Sequence, residues 1–83
     1  MDLCSVIGTN IRKQRAASGL SQEELAFRAG IDRSYLSEIE NGYKNLSVNI
    51  LDQIVGALNL EIGEMFDGYK RVLQTKENIL QPD

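Results

Sequence analysis

Within residues 21–42 two helix-length segments are joined by only three residues, Gly30-Ile31-Asp32. Few other arrangements leave a chain so little freedom. The first segment opens with Ser21-Gln22-Glu23-Glu24, a capping box in which the Ser hydroxyl and the Glu carboxylate satisfy two main-chain N–H groups at a helix start. It predicts a helix with Leu25, Ala26 and Ala29 facing inward. Gly30 stops it, because glycine accepts a left-handed C-cap at little cost. Asp32 then reads as an N-cap and residues 33–41 as a second helix, with Leu36 and Ile39 on its inner face. Gly42 ends that helix. So short a connection, with glycine first, forces a sharp corner. Ala26 is small enough to let the second helix cross the first closely, and Ile31 is an apolar plug for the turn.

The remaining apolar residues also recur at helical spacing. Leu3 to Ala17 puts Leu3, Val6, Ile7 and Ile11 on one face. Arg12, Lys13 and Arg15 fall toward its C-terminal end, where cations suit the helix dipole. A helix after Ser47 carries Leu51, Ile54, Val55 and Leu58. A short fifth, about Ile62 to Phe66, closes the core with Ile62, Met65 and Phe66. The single proline is Pro82, and no segment alternates apolar and polar residues long enough for a strand. The expected fold is all-α, a compact five-helix domain over residues 1–66. In the tail, 67–83, Tyr69, Val72, Leu73 and Lys76 have the spacing of a sixth helix, and a frayed end is the alternative.

Composition narrows the function. Eighty-three residues make one small domain, for which a partner subunit would add burial. There is no histidine, which removes Ser-His and Cys-His nucleophile pairs and the commonest general base; neither an enzyme nor a cofactor is expected. Cys4 alone cannot form an internal disulfide or a structural zinc site, so no metal is expected. No apolar run approaches the roughly 20 residues of a membrane span, and the start has no basic segment followed by an apolar one. A cytoplasmic protein with no membrane partner is therefore expected. The net charge of −3 is unevenly placed. Residues 1–50 hold six basic residues (Arg12, Lys13, Arg15, Arg28, Arg33, Lys44) and six acidic ones; residues 51–83 hold three basic and six acidic.

A corner of this kind is helix-turn-helix geometry, whose second helix enters the major groove of duplex DNA N-terminus first. Its first turns offer Arg33, Ser34, Tyr35 and Ser37 as base-reading candidates, since the planar fork of Arg matches guanine O6 and N7. Glu38 faces the same way and is expected to accept from a cytosine amino group or to restrain Arg33 or Arg28. Phe27 is too exposed for a core residue, and packing on Tyr35 or Tyr43 is expected of it. The plainer alternative is two packed helices in an all-α bundle.

Over residues 7–66, and above all in GLSQEELAFRAGI and YLSEIENG, the chain resembles the Cro/cI-type (Xre) helix-turn-helix family, with its lambda-repressor-like fold. The run Asp32-Arg33-Ser34-Tyr35-Leu36-Ser37, then Ile39-Glu40 and Lys44-Asn45-Leu46-Ser47, is most similar to the controller proteins of restriction–modification systems. Those are small dimeric activator–repressors that time endonuclease expression after the methyltransferase. The resemblance implies base and backbone recognition by Arg33, Ser34 and Tyr35. It implies phosphate contacts from Ser21 and Gln22 at a helix start. Asn41, Tyr43, Lys44 and Asn45 would follow along the backbone, a polar surface loop being the alternative. Arg15 and Glu40 match a structural salt bridge between helix 1 and the end of helix 3, with a DNA contact as the alternative for Arg15. The implied partners are a palindromic double-stranded operator, a second copy of the chain, a further dimer on an adjacent site, and RNA polymerase. Leu46, Ile50, Leu60, Ile62 and Met65 are the candidates for the dimer interface, some of them completing the monomer core instead. The implied setting is bacterial or phage-borne. Two further readings stay open: a phage-type or general Xre repressor, and an antitoxin that binds a protein through residues 67–83.

Overall fold

A computed structural model describes residues 2–43 and 45–70. They form α1 (Leu3–Ala17), α2 (Gln22–Ala29), α3 (Arg33–Glu40), α4 (Val48–Leu58) and a closing 3-10 helix (Ile62–Phe66). No strand occurs among the described residues, and none of their helices is long and apolar enough to cross a membrane.

Local chemistry sets most of the boundaries. The Asp2 carboxylate accepts the Ser5 N–H at 2.8 Å and starts α1; that bond holds the Asp2 carboxyl below its ordinary range. At α2 the Ser21 hydroxyl accepts from the Glu24 N–H at 3.0 Å, and Glu24 Oε1 accepts from the Ser21 N–H at 2.8 Å. The Ser21 N–H in turn keeps the Glu24 carboxyl below the usual carboxylate range. The Ser47 hydroxyl accepts the Ile50 N–H at 3.1 Å and begins α4. Asp32 behaves differently from its expected role. Its backbone has the extended N-cap conformation, yet its side chain makes no capping hydrogen bond. The start of α3 is fixed from the other side of the turn, where Gly30 adopts φ 73° and the Ile31 N–H donates to the Ala26 carbonyl at 2.9 Å.

The fifth element is a 3-10 helix of five residues, with the tighter i→i+3 pattern common in short connecting helices. Asn10 of α1 ties it down, donating Nδ2 to the carbonyls of Met65 (2.8 Å) and Asp67 (2.9 Å). It packs on α1 and α4 and encloses Met65, which is 0% exposed. Met65 is thus a core residue and not available to a dimer interface. It joins Ile7, Ile11, Leu25, Leu36, Ile39, Leu51, Ile54 and Val55 in one cluster, each large member stabilising the fold by about 1.5–3 kcal/mol relative to exposure. Leu46, Ile50 and Leu60 are half-buried against this cluster, while Ile62 is exposed. The possible sixth helix falls mostly outside the described residues.

Candidate nucleic-acid interface

α2 and α3 make the corner, and α3 is anchored through Leu36 and Ile39, both buried. That anchoring turns the other side of the helix outward. Arg33 and Ser34 stand exposed at its N-terminus, Glu38 is exposed further along, and Ser37 is half-buried. Tyr35 is half-buried and packs on the core, which pins its ring and limits where its hydroxyl can reach. All four base-reading candidates therefore sit on one eight-residue helix. At the start of α2 the capping box consumes the N–H groups of Ser21 and Glu24. Those of Gln22 and Glu23 donate to no group among the described residues.

Behind this surface lies an ion cluster that fixes three helices to one carboxylate. Glu40, at the end of α3, is only 2% exposed. Arg15 grips it with both forks, Nε to Oε2 at 2.7 Å and Nη2 to Oε1 at 3.0 Å, and sends Nη1 to the Leu20 carbonyl at 2.9 Å. The hydrogen bond to Glu40 raises the Arg15 guanidinium further above its ordinary range. Gln22 adds a third bond, Nε2 to Glu40 Oε1 at 3.0 Å. One of the two phosphate candidates of α2 thus spends part of its amide inside the protein. Arg12 completes the cluster, with Nη2 on the Glu40 carbonyl (3.1 Å) and on Asn41 Oδ1 (3.0 Å). Its Nε lies 3.7 Å from Glu40 Oε1. Among the described residues no buried side-chain polar atom lacks a partner.

The loop after α3 is also held from within. Asn41 accepts from Arg12 and donates Nδ2 to the Ser37 carbonyl at 2.9 Å. Asn45 Oδ1 accepts from the Cys4 thiol at 2.9 Å. Tyr43 projects into solvent, 83% exposed, and Lys44 lies outside the described residues. Phe27 is 86% exposed and so does not pack on Tyr43 or Tyr35 as expected: α2 turns Leu25, Ala26 and Ala29 inward and leaves Phe27 on the opposite side. Spacing also misses Val48, which is 74% exposed. It lies three residues before the buried Leu51, so periodicity places it on the inner face; the first turn of α4 simply overhangs the core. The Arg12–Glu40, Arg12–Asn41 and Cys4–Asn45 contacts carry no sequence signal, since each joins residues far apart in the chain.

The helix-turn-helix family model matches residues 11–65. The transcriptional regulator SlrR of Bacillus subtilis (strain 168) is 41% identical over 63 residues, covering 75% of this chain and 41% of SlrR. The chain thus spans less than half the length of that relative. The control protein C.BamHI of Bacillus amyloliquefaciens is 35% identical over 63 residues, covering 75% of this chain and 78% of its own. Among solved structures, the restriction–modification controller protein C.AhdI from Aeromonas hydrophila superposes with a TM-score of 0.74 at 41% identity, over 76% of this chain and 96% of that one. The controller protein C.Esp1396I, solved as a tetramer in complex with its natural 35 base-pair operator, gives 0.73 at 33% identity, over 81% and 88%.

Proposed function

This chain belongs to the helix-turn-helix family, and from that premise we propose that it is a sequence-specific transcriptional regulator that reads duplex DNA with α3. The observation that carries the reading is the construction of α3. Its inner side chains and its C-terminal Glu40 are locked to α1 and α2, while Arg33 and Ser34 at its N-terminus are exposed. A rigid helix presenting Arg at its leading end is what base-edge recognition in a major groove requires. The phosphate contacts follow from the same frame. Gln22 and Glu23 offer main-chain N–H groups at a positive helix end, although the Glu23 carboxylate opposes an anion there. Tyr43 extends from the loop toward the backbone on the same reading, with Asn41 and Asn45 beside it.

The regulator is of the controller type, acting on the operon of a restriction–modification system as activator and repressor, by likeness to C.AhdI and C.BamHI. A homodimer, and two dimers on adjacent sites, supply the length of DNA that one α3 cannot read. RNA polymerase is the partner through which activation would act, and the compartment is the cytoplasm. Ile62, with the half-buried Leu46, Ile50 and Leu60, remains a candidate for the contact with a second copy, and Phe66 and Val48 are further exposed apolar residues. A general transcriptional regulator outside restriction–modification is the second reading, favoured by the 41% identity to SlrR. Footprinting on the region upstream of the protein's own gene separates the outcomes. Protection of a palindrome with half-sites about one helical turn (~34 Å) apart supports the regulator; no protected sequence there or elsewhere in the operon removes it. Methyltransferase and endonuclease genes alongside identify the controller.

A further inference from the structure

Cys4, Gly8 and Arg12 follow one another at four-residue intervals along one face of α1, and all three meet the segment 39–45. The Cys4 thiol bonds Asn45. At Gly8 the helix presses so close that an added Cβ would run into the carbonyl oxygen of Ile39 and lie 2.9 Å from that of Glu40. Between them Ser5 meets Gly42, whose positive φ of 75° turns the chain out of α3; a Cβ there would sit 2.8 Å from Ser5 Oγ.

Arg12 is the polar member of this face, and Glu40 does not need it. Arg15 already satisfies both oxygens of the Glu40 carboxylate. Arg12, whose side chain is half exposed, instead bridges the last main-chain carbonyl of α3 and the Asn41 side chain through one nitrogen. Asn41 passes the link on to the Ser37 carbonyl. The last turn of α3 contains no basic residue of its own, so α1 supplies the cation that a negative helix end favours.

We propose that Arg12 is a positioning residue for DNA binding, clamping the C-terminus of α3 and the following loop to α1 so that the groove-facing and backbone-facing groups keep one register. The inference rests on the DNA-binding reading above. Arg12 touches no base in this scheme. What matters is the fixed fork of the guanidinium, which an ammonium on a flexible stem does not reproduce.

The test uses the full chain with Arg12→Lys and Arg12→Ala. Amide hydrogen exchange is followed without DNA. Binding is followed by fluorescence anisotropy to a labelled duplex from upstream of the gene, over a range of salt. In both variants the Gly42 and Tyr43 amides, bonded to Ile39 and Glu38 carbonyls, should exchange roughly tenfold faster while the Ile54 amide stays protected. Both should bind the duplex roughly tenfold more weakly, with the salt slope of wild type, since no phosphate contact is lost. Three results would overturn the proposal. Arg12→Lys binding like wild type, with Arg12→Ala losing about 0.9 of slope, makes Arg12 a phosphate contact. Unchanged exchange at Tyr43 removes the clamp. Acceleration of Ile54 along with the rest makes Arg12 an ordinary stabilising residue. If the wild type ignores the duplex, the DNA reading fails, and the exchange measurement still decides the clamp.

Discussion

Glu40 shows how much of this molecule depends on one side chain. A carboxylate 2% exposed is tolerable only because Arg15 and Gln22 meet it. Breaking such a pair from one side costs more than the pair itself contributes, since a charge is left buried. Arg15→Ala should therefore destabilise the fold by about 3 kcal/mol in urea unfolding. Replacing both partners together, Arg15→Met with Glu40→Leu, should recover most of that loss. A double variant as unstable as Arg15→Ala would contradict this view of the cluster. The pair was legible in the sequence only through the family resemblance, because residues 25 apart carry no spacing signal. Gln22 was legible as a helix-start residue, but its bond to Glu40 was not.

At the scale of elements, helix starts and stops were the most readable features, because each depends on chemistry within three or four residues. Ser21 with Glu24, Ser47, and Gly30 fixed their boundaries as local chemistry requires. Asp32 did not, because the α2–α3 corner sets that position before its carboxylate can. The close contact between α1 and the end of α3 was illegible. Gly8 looks dispensable in a helix, yet it is where α1 meets the end of α3. Gly8→Ala should cost about 2 kcal/mol or more, because backbone on both sides must give way. In an unconstrained helix the same change would be stabilising. Comparison of urea midpoints decides the sign. The capping box makes a pH prediction. The Glu24 carboxyl is held below its unfolded value, so its contribution is fully present above the ordinary glutamate range and is lost as pH falls through the depressed value. Glu24→Gln, which removes the titrating carboxyl, should flatten that part of the acid limb of a stability–pH profile; an unaltered limb would show that the box is not formed in solution.

At the scale of the whole molecule, α3 is locked to α1 and α2 while Ile62, Phe66 and Val48 lie exposed. Hydrophobic spacing identifies apolar positions but not their neighbours, which is why Met65 and Ile62 were grouped together although one is enclosed and the other exposed. Ile62→Asp, at an exposed position, should leave the monomer folded and shift light scattering at micromolar concentration from dimer to monomer. A dimer that survives would place the interface elsewhere. Reading of base edges by Arg33 on α3 is checked by a salt titration of duplex binding, comparing wild type with Arg33→Ala on the upstream sequence and on a scrambled one. Wild-type binding should be tight and should weaken with salt. Arg33→Ala should lose about 1–3 kcal/mol on the upstream duplex, with scrambled binding little changed. Equal weakening on both duplexes would make Arg33 a phosphate contact, and no wild-type preference for the upstream duplex would rule out sequence-specific reading of that site by α3.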